Sequence, residues 1–153
     1  FDVIMFSTHG INRNLDKGVD ETALVLGWKN QDKGQNIDDI LLTPEEILQF
    51  ELDADLTILN ACNSGLPNAK NAPGLTGIAQ SFLAAGSDAV MVSNWPISSS
   101  STVNLMSVMF DHLKTNSKAS FNSALNFAQK QLKSKNESSH PFFWAPYSIY
   151  GNF

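Results

Sequence analysis

The chain has 153 residues, 42% of them hydrophobic and 16% charged, which suits one ordinary domain with a core of its own. Fifteen acidic against ten basic residues leave a net charge of -5, and with a single arginine, Arg13, and scattered lysines this argues against nucleic acid as a direct partner. No stretch approaches the roughly 18 to 20 apolar residues of a membrane span, and the lone cysteine, Cys62, cannot close an internal disulfide, so a soluble domain in the reducing cytoplasm is expected.

The opening "FDVIMFS" is nearly continuous in apolar residues and predicts a strand buried on both faces, running into "THG" so that His9 stands at its tip. Since residue 1 already lies inside that run, the sequence reads as a piece cut from something longer. "TALVLGW", the polar "KNQDKGQNIDD" and "ILL" predict a hairpin with a long solvent-exposed tip. "TPEEILQF" starts a helix: Thr43 can cap it, Pro44 suits the first helical position, and Glu46 completes a capping box. "ADLTILNAC" repeats the buried-strand pattern and delivers Asn60 and Cys62 at its carboxyl end.

The Gly-, Pro- and Asn-rich "NSGLPNAKNAPG" reads as a loop, and "LTGIAQSFLAAG" as a helix closed by Gly86. "DAVMVSNW" is a third buried strand, ending at Trp95. Beyond a serine run from Ser98, residues Val103, Met106, Met109, Phe110 and Leu113 are expected on one helical face. "SFNSALNFAQKQLK" follows as a second amphipathic helix, and "FFWAPYSIYG" closes the chain as a strand.

Strands alternating with helices, the strands nearly continuous in apolar residues, define an α/β fold: a mostly parallel sheet flanked by helices in three layers. Ligands of such sheets bind outside the carboxyl ends of the strands, the edge that holds His9 and Cys62. A thiol of ordinary pKa near 8.5 is mostly protonated at neutral pH, so a nucleophilic cysteine needs a base, and His9 is the histidine suitably placed. His112 falls within a helix and His140 precedes Pro141 at the start of the last strand. A lone buried cysteine is more often a small hydrophobe than a nucleophile. The conjunction changes that balance: two strands each end in one member of a dyad, and Gly10 beside the histidine permits a close backbone approach whose amide can hold an oxyanion. Cys62 follows His9 by 53 residues, near the roughly 50 that separate the two catalytic residues of caspases.

In unbroken order, "FDVIMFSTHG", "LTPEEILQFELDADLTILNACNSG", "GLTGIAQSFLAAGSDAVMVSNWPI" and "HPFFWAPYSIYG" resemble the signature blocks of CHAT domains, caspase-like cysteine peptidase domains often joined to TPR repeats and distantly similar to separase. The resemblance covers residues 1–153 as one domain and, because CHAT domains extend well upstream of their histidine strand, implies the carboxyl-terminal part of a larger domain that lacks its upstream part. It implies a cysteine endopeptidase acting on a protein or peptide, with His9 as general base, Cys62 as nucleophile and the amides of Gly10 and Cys62 as oxyanion donors. It implies no cofactor, and a TPR or other regulatory domain in the same or a neighbouring chain. Asn60 and Ser64 are expected to shape the turn.

Where separases carry an acid in the corresponding Trp-Asp-Val-Thr-Asp block, this chain has "WPISS", so a pocket of Trp95, Ile97 and Ser99 offers no carboxylate for a substrate arginine. No metal site is expected, since "DKGVDE" and "NQDKGQNIDD" lack the ordered spacing of an EF-hand loop. The rival reading from another class is a catalytically inactive CHAT-like interaction module in a signalling assembly. A cysteine hydrolase of esters or small amides is disfavoured by the lack of a Gly-x-Ser-x-Gly elbow or its cysteine version.

Overall fold

The structure, a computed structural model, describes residues 2–14, 20–27, 40–61, 77–95, 98–135 and 138–151, with the main chain alone for 11–14 and 20–22. In chain order its elements are β1 (Val3–Ser7), β2 (Gly10–Asn14), β3 (Asp20–Val25), β4 (Leu41–Leu42), α1 (Pro44–Ile47), β5 (Leu56–Asn60), α2 (Gly77–Ala84), β6 (Ala89–Ser93), α3 (Ser99–Thr115), α4 (Phe121–Lys133), α5 (Pro141–Trp144) and β7 (Tyr147–Gly151). A four-stranded sheet has the order β1-β5-β6-β7, and a three-stranded sheet the order β2-β3-β4. β1, β5 and β6 are parallel, β7 is antiparallel to β6, and the smaller sheet is antiparallel throughout.

The apolar runs "LTIL" and "AVMV" make the central pair because both faces of each strand are covered. Alternation sends Leu56, Ile58, Ala89 and Met91 to one side, where they meet Leu105, Met106 and Met109 of α3 and Leu125 and Leu132 of α4. Leu59, Val90 and Val92 point the other way, into Ile78 and Phe82 of α2, Ile47 of α1 and Leu24 and Leu42 of the small sheet. Each such fully buried aliphatic side chain contributes about 1.5 to 3 kcal/mol, so two apolar faces on one sheet fix a three-layer α/β sandwich. No helix among the described residues is long and apolar enough to cross a membrane.

Local signals act where the sequence puts them. Glu46 N–H donates to Thr43 Oγ1 at 3.3 Å and Thr43 N–H to Glu46 Oε2 at 2.8 Å, completing the capping box of α1. At the end of α2, Ser87 N–H reaches Phe82 O at 3.0 Å and Gly86 N–H reaches Leu83 O at 3.2 Å, a Schellman closure with Gly86 at φ +108°. β3 and β4 pair as the expected hairpin, in register Leu24↔Leu42 and Val25↔Leu41. The hairpin tip (28–39) and the predicted loop after Cys62 lie outside the described residues.

Four expectations are corrected. β1 is not buried on both faces: Met5 is 44% exposed and Ser7 is exposed, because β1 is the sheet's outer strand among the described residues and the helices centre on β5 and β6. The chain does not enter a loop at "THG" but starts β2 at Gly10. Val103 is 61% exposed. The buried stripe of α3 runs through Thr102, Leu105, Met106 and Met109, whose centre lies roughly 110° around the helix from Val103. The closing segment is not strand alone, since His140 precedes the short helix α5 as its N-cap, its Nδ1 accepting from Phe142 N–H at 3.2 Å, and β7 begins only at Tyr147.

Candidate active site

Three parallel strands end side by side, and the antiparallel β7 begins at that same edge. The edge is therefore lined by Ser7 ending β1 and His9 beyond it, Asn60 ending β5 and Ala61 beyond it, Asn94 and Trp95 after β6, and Tyr147 opening β7. The sequence placed His9 and the end of β5 here by apolar run lengths alone, and the register joins them: Ser7 of β1 pairs with Asn60 of β5 as the last rung of the ladder.

His9 occupies the junction between the two sheets and is exposed. Its main chain is held by the small sheet, with Val25 N–H donating to the His9 carbonyl at 2.9 Å. One residue earlier, the Thr8 hydroxyl donates to the Val25 carbonyl. Because the His9–Gly10 peptide is trans, a carbonyl aimed at β3 sends the Gly10 amide the opposite way. Gly10 opens β2, an outer strand of its sheet among the described residues, so that amide points away from its ladder partner. Such a donor, unused by the ladder, is what an oxyanion site requires.

Trp95 is half-buried, its Nε1–H donating to the Phe142 carbonyl at 3.1 Å, while Ser93 Oγ–H donates to the Trp95 carbonyl at 2.7 Å. The turn after β6 is thereby tied to α5. Ser99 is exposed as the first residue of α3, whose N-cap is Ser98. Cys62 and Ile97 lie outside the described residues, the former next to Ala61, which is buried.

Sequence reading missed a relay on this edge. Tyr147 Oη donates to Asn60 Oδ1 at 2.5 Å, Asn60 Nδ2 donates to Ser7 Oγ at 3.0 Å, and Thr102 Oγ1 lies 3.3 Å from Tyr147 Oη. A buried tyrosine needs a partner for its hydroxyl, and that requirement was the only hint available in "APYSIYG". Asn94 Nδ2 likewise donates to Ser148 Oγ at 2.9 Å, fastening β6 to β7 at the same edge.

A three-layer α/β sandwich with a histidine and a cysteine following the carboxyl ends of neighbouring parallel strands is the caspase-like fold. The CHAT domain family model matches residues 1–152, and the chain belongs to that family. It is 31% identical over 117 residues to tetratricopeptide repeat protein 28 of Homo sapiens, an alignment covering 76% of this chain and 5% of that protein. The Mus musculus protein of the same name is 29% identical over 114 residues, covering 74% of this chain and 4% of its own length. The chain thus spans about a twentieth of the length of these curated relatives.

Proposed function

We propose that this CHAT domain is a cysteine endopeptidase whose dyad is His9 and Cys62, governed by a TPR or other regulatory segment in the same or a neighbouring chain. One observation carries the reading: Ser7 and Asn60 are paired in register, and His9 and Cys62 each follow two residues later. Neighbouring strands lie about 4.8 Å apart, so residues leaving them at matched positions start within reach of one another. His9 takes the proton of the Cys62 thiol, and the thiolate attacks the scissile carbonyl carbon. The amide N–H groups of Gly10 and Cys62 donate to the oxyanion, the imidazolium gives its proton to the leaving amine, and a thioacyl enzyme remains. Water, deprotonated by His9, then hydrolyses the thioester and frees the thiol. The kinship with TPR-repeat proteins supports a repeat segment as the regulator.

The test is labelling of the full-length protein with a peptidyl electrophile, followed by peptide mapping. A single adduct on Cys62, lost in His9→Ala, is the expected result. A protein that binds partners yet takes no adduct would be the inactive interaction module instead.

Specificity follows from the start of α3. The first turn of this 17-residue helix carries no acidic residue, and a helix N-terminus repels cations. With Ser99 beside the pocket, in the company of Trp95 and Ile97, a guanidinium would be desolvated without compensation. Cleavage is expected after neutral, aliphatic residues. A peptide-library profile checks this: Ser99→Asp, an acid that suits a first helical turn, is expected to raise the share of cleavage after arginine about tenfold. Dominant arginine cleavage by the wild type would refute the pocket assignment.

A further inference from the structure

The last rung of the β1–β5 ladder is also the point at which the two chains part. Past Ser7 the chain leaves through Thr8 and His9 into the small sheet, and past Asn60 it leaves through Ala61. Beyond that rung the small sheet holds the His9 main chain, while a side chain ties the end of β1 to the end of β5. Asn60 spans this fork, with Nδ2 donating to Ser7 Oγ at 3.0 Å and Oδ1 accepting from Tyr147 Oη at 2.5 Å.

Proton order makes this bridge directional. Tyr147 spends its one hydroxyl hydrogen on Asn60, so the 3.3 Å contact with Thr102 requires Thr102 to donate to Tyr147. The chain reads Thr102 to Tyr147 to Asn60 to Ser7. It starts from two side chains held in the core, Thr102 at 6% and Tyr147 at 2% exposure, and ends on an exposed serine two residues before His9. The buried end is a rigid reference: Tyr147 belongs to the core cluster of α3 and α4, and Gln129 Nε2 donates to its carbonyl at 3.2 Å.

We infer that Asn60 is a positioning residue for the dyad, which transmits the fixed location of Tyr147 to the fork and so sets the approach of His9 to Cys62. The inference rests on the peptidase reading above. Asn60 touches no reacting atom; it acts through the two backbones that carry them. Misplacing reactive groups by about 1 Å can cost on the order of a hundredfold in rate, so a bridge at the fork matters beyond its contribution to folding.

The experiment measures the alkylation rate of Cys62 by iodoacetamide, from pH 5 to pH 9, by peptide mapping of the full-length protein, together with its thermal midpoint. Wild type is expected to react at pH 6 through a thiolate supported by His9. Asn60→Ala and Tyr147→Phe are each expected to lower that low-pH rate about tenfold or more while leaving the rate at pH 9, where the free thiol ionises unaided, within about twofold. Tyr147→Phe keeps the ring in the core, so it serves if Asn60→Ala fails to fold. Asn60→Gln, whose amide can rebuild part of the bridge, is expected to recover part of the lost rate. Wild-type pH profiles in Asn60→Ala and Tyr147→Phe, alongside loss of the low-pH rate in His9→Ala, would overturn the positioning role alone. A wild-type profile in His9→Ala as well would overturn the dyad itself.

Discussion

Cys62→Ala is expected to abolish proteolysis by the full-length protein while leaving its fold intact. A nucleophile that forms the thioacyl bond has no substitute among binding interactions, and its removal from comparable acyl-transfer enzymes costs about 10^4-fold or more. The change is also small in volume, and β5, the strand that precedes it in the chain, ends at Asn60. Turnover of a cleavable peptide and circular dichroism, measured on the same preparation, separate the two effects. Residual cleavage above about one per cent would assign the chemistry to another nucleophile, because the oxyanion donors alone cannot sustain that rate.

Gly86→Ala is expected to lower the stability of the domain strongly. A Cβ at Gly86 would sit 2.2 Å from the main-chain oxygen of Leu52 and 3.1 Å from its carbonyl carbon, at φ +108°. Neither atom is a side chain that can swing aside. Leu52 is moreover held from its other end, its N–H donating to Ala85 O at 2.7 Å. The left-handed conformation costs an L-residue about 1 to 2 kcal/mol. The clash adds to this, for an expected loss of about 3 kcal/mol or more and a fall in Tm on the order of 6 to 12 °C. Gly27 is the internal control: its φ is +116° but nothing lies within 4 Å of the added carbon, so Gly27→Ala should show the conformational cost alone. Equal losses at the two positions, read by urea unfolding, would mean that the Leu52 backbone yields.

The parts of the molecule legible in the sequence are those in which local chemistry and burial agree. β5 and β6 are covered on both faces, so continuous apolar runs mark them without ambiguity, and Thr43, Pro44, Glu46 and Gly86 carry the caps in their own side chains and φ angles. The missed pieces depend on partners distant in the chain. "GINRN" has neither alternation nor β-branching enough to announce a strand, and it is one because β3 offers a ladder. β1 reads as fully buried because its composition does not reveal its place at the outside of the sheet. Of the site, His9 and the end of β5 were visible as strand termini. Asn60 was expected only to shape a turn, because Tyr147, 87 residues away, gives it its second contact.

That separation has a consequence for how the protein is made. Since β7 runs antiparallel to β6, the edge bearing Ser7, His9 and Asn60 receives Tyr147 only when 87 residues have followed Asn60. At about 5 to 20 residues per second, the ribosome adds Tyr147 roughly 4 to 17 s after Asn60. Throughout that interval β1 and β5 can already pair, but the hydroxyl that orders the fork between them does not yet exist. A nascent chain therefore carries the two strands of the proposed dyad before it carries the means to align them, and the order of translation itself delays the completed edge until β7 has been made.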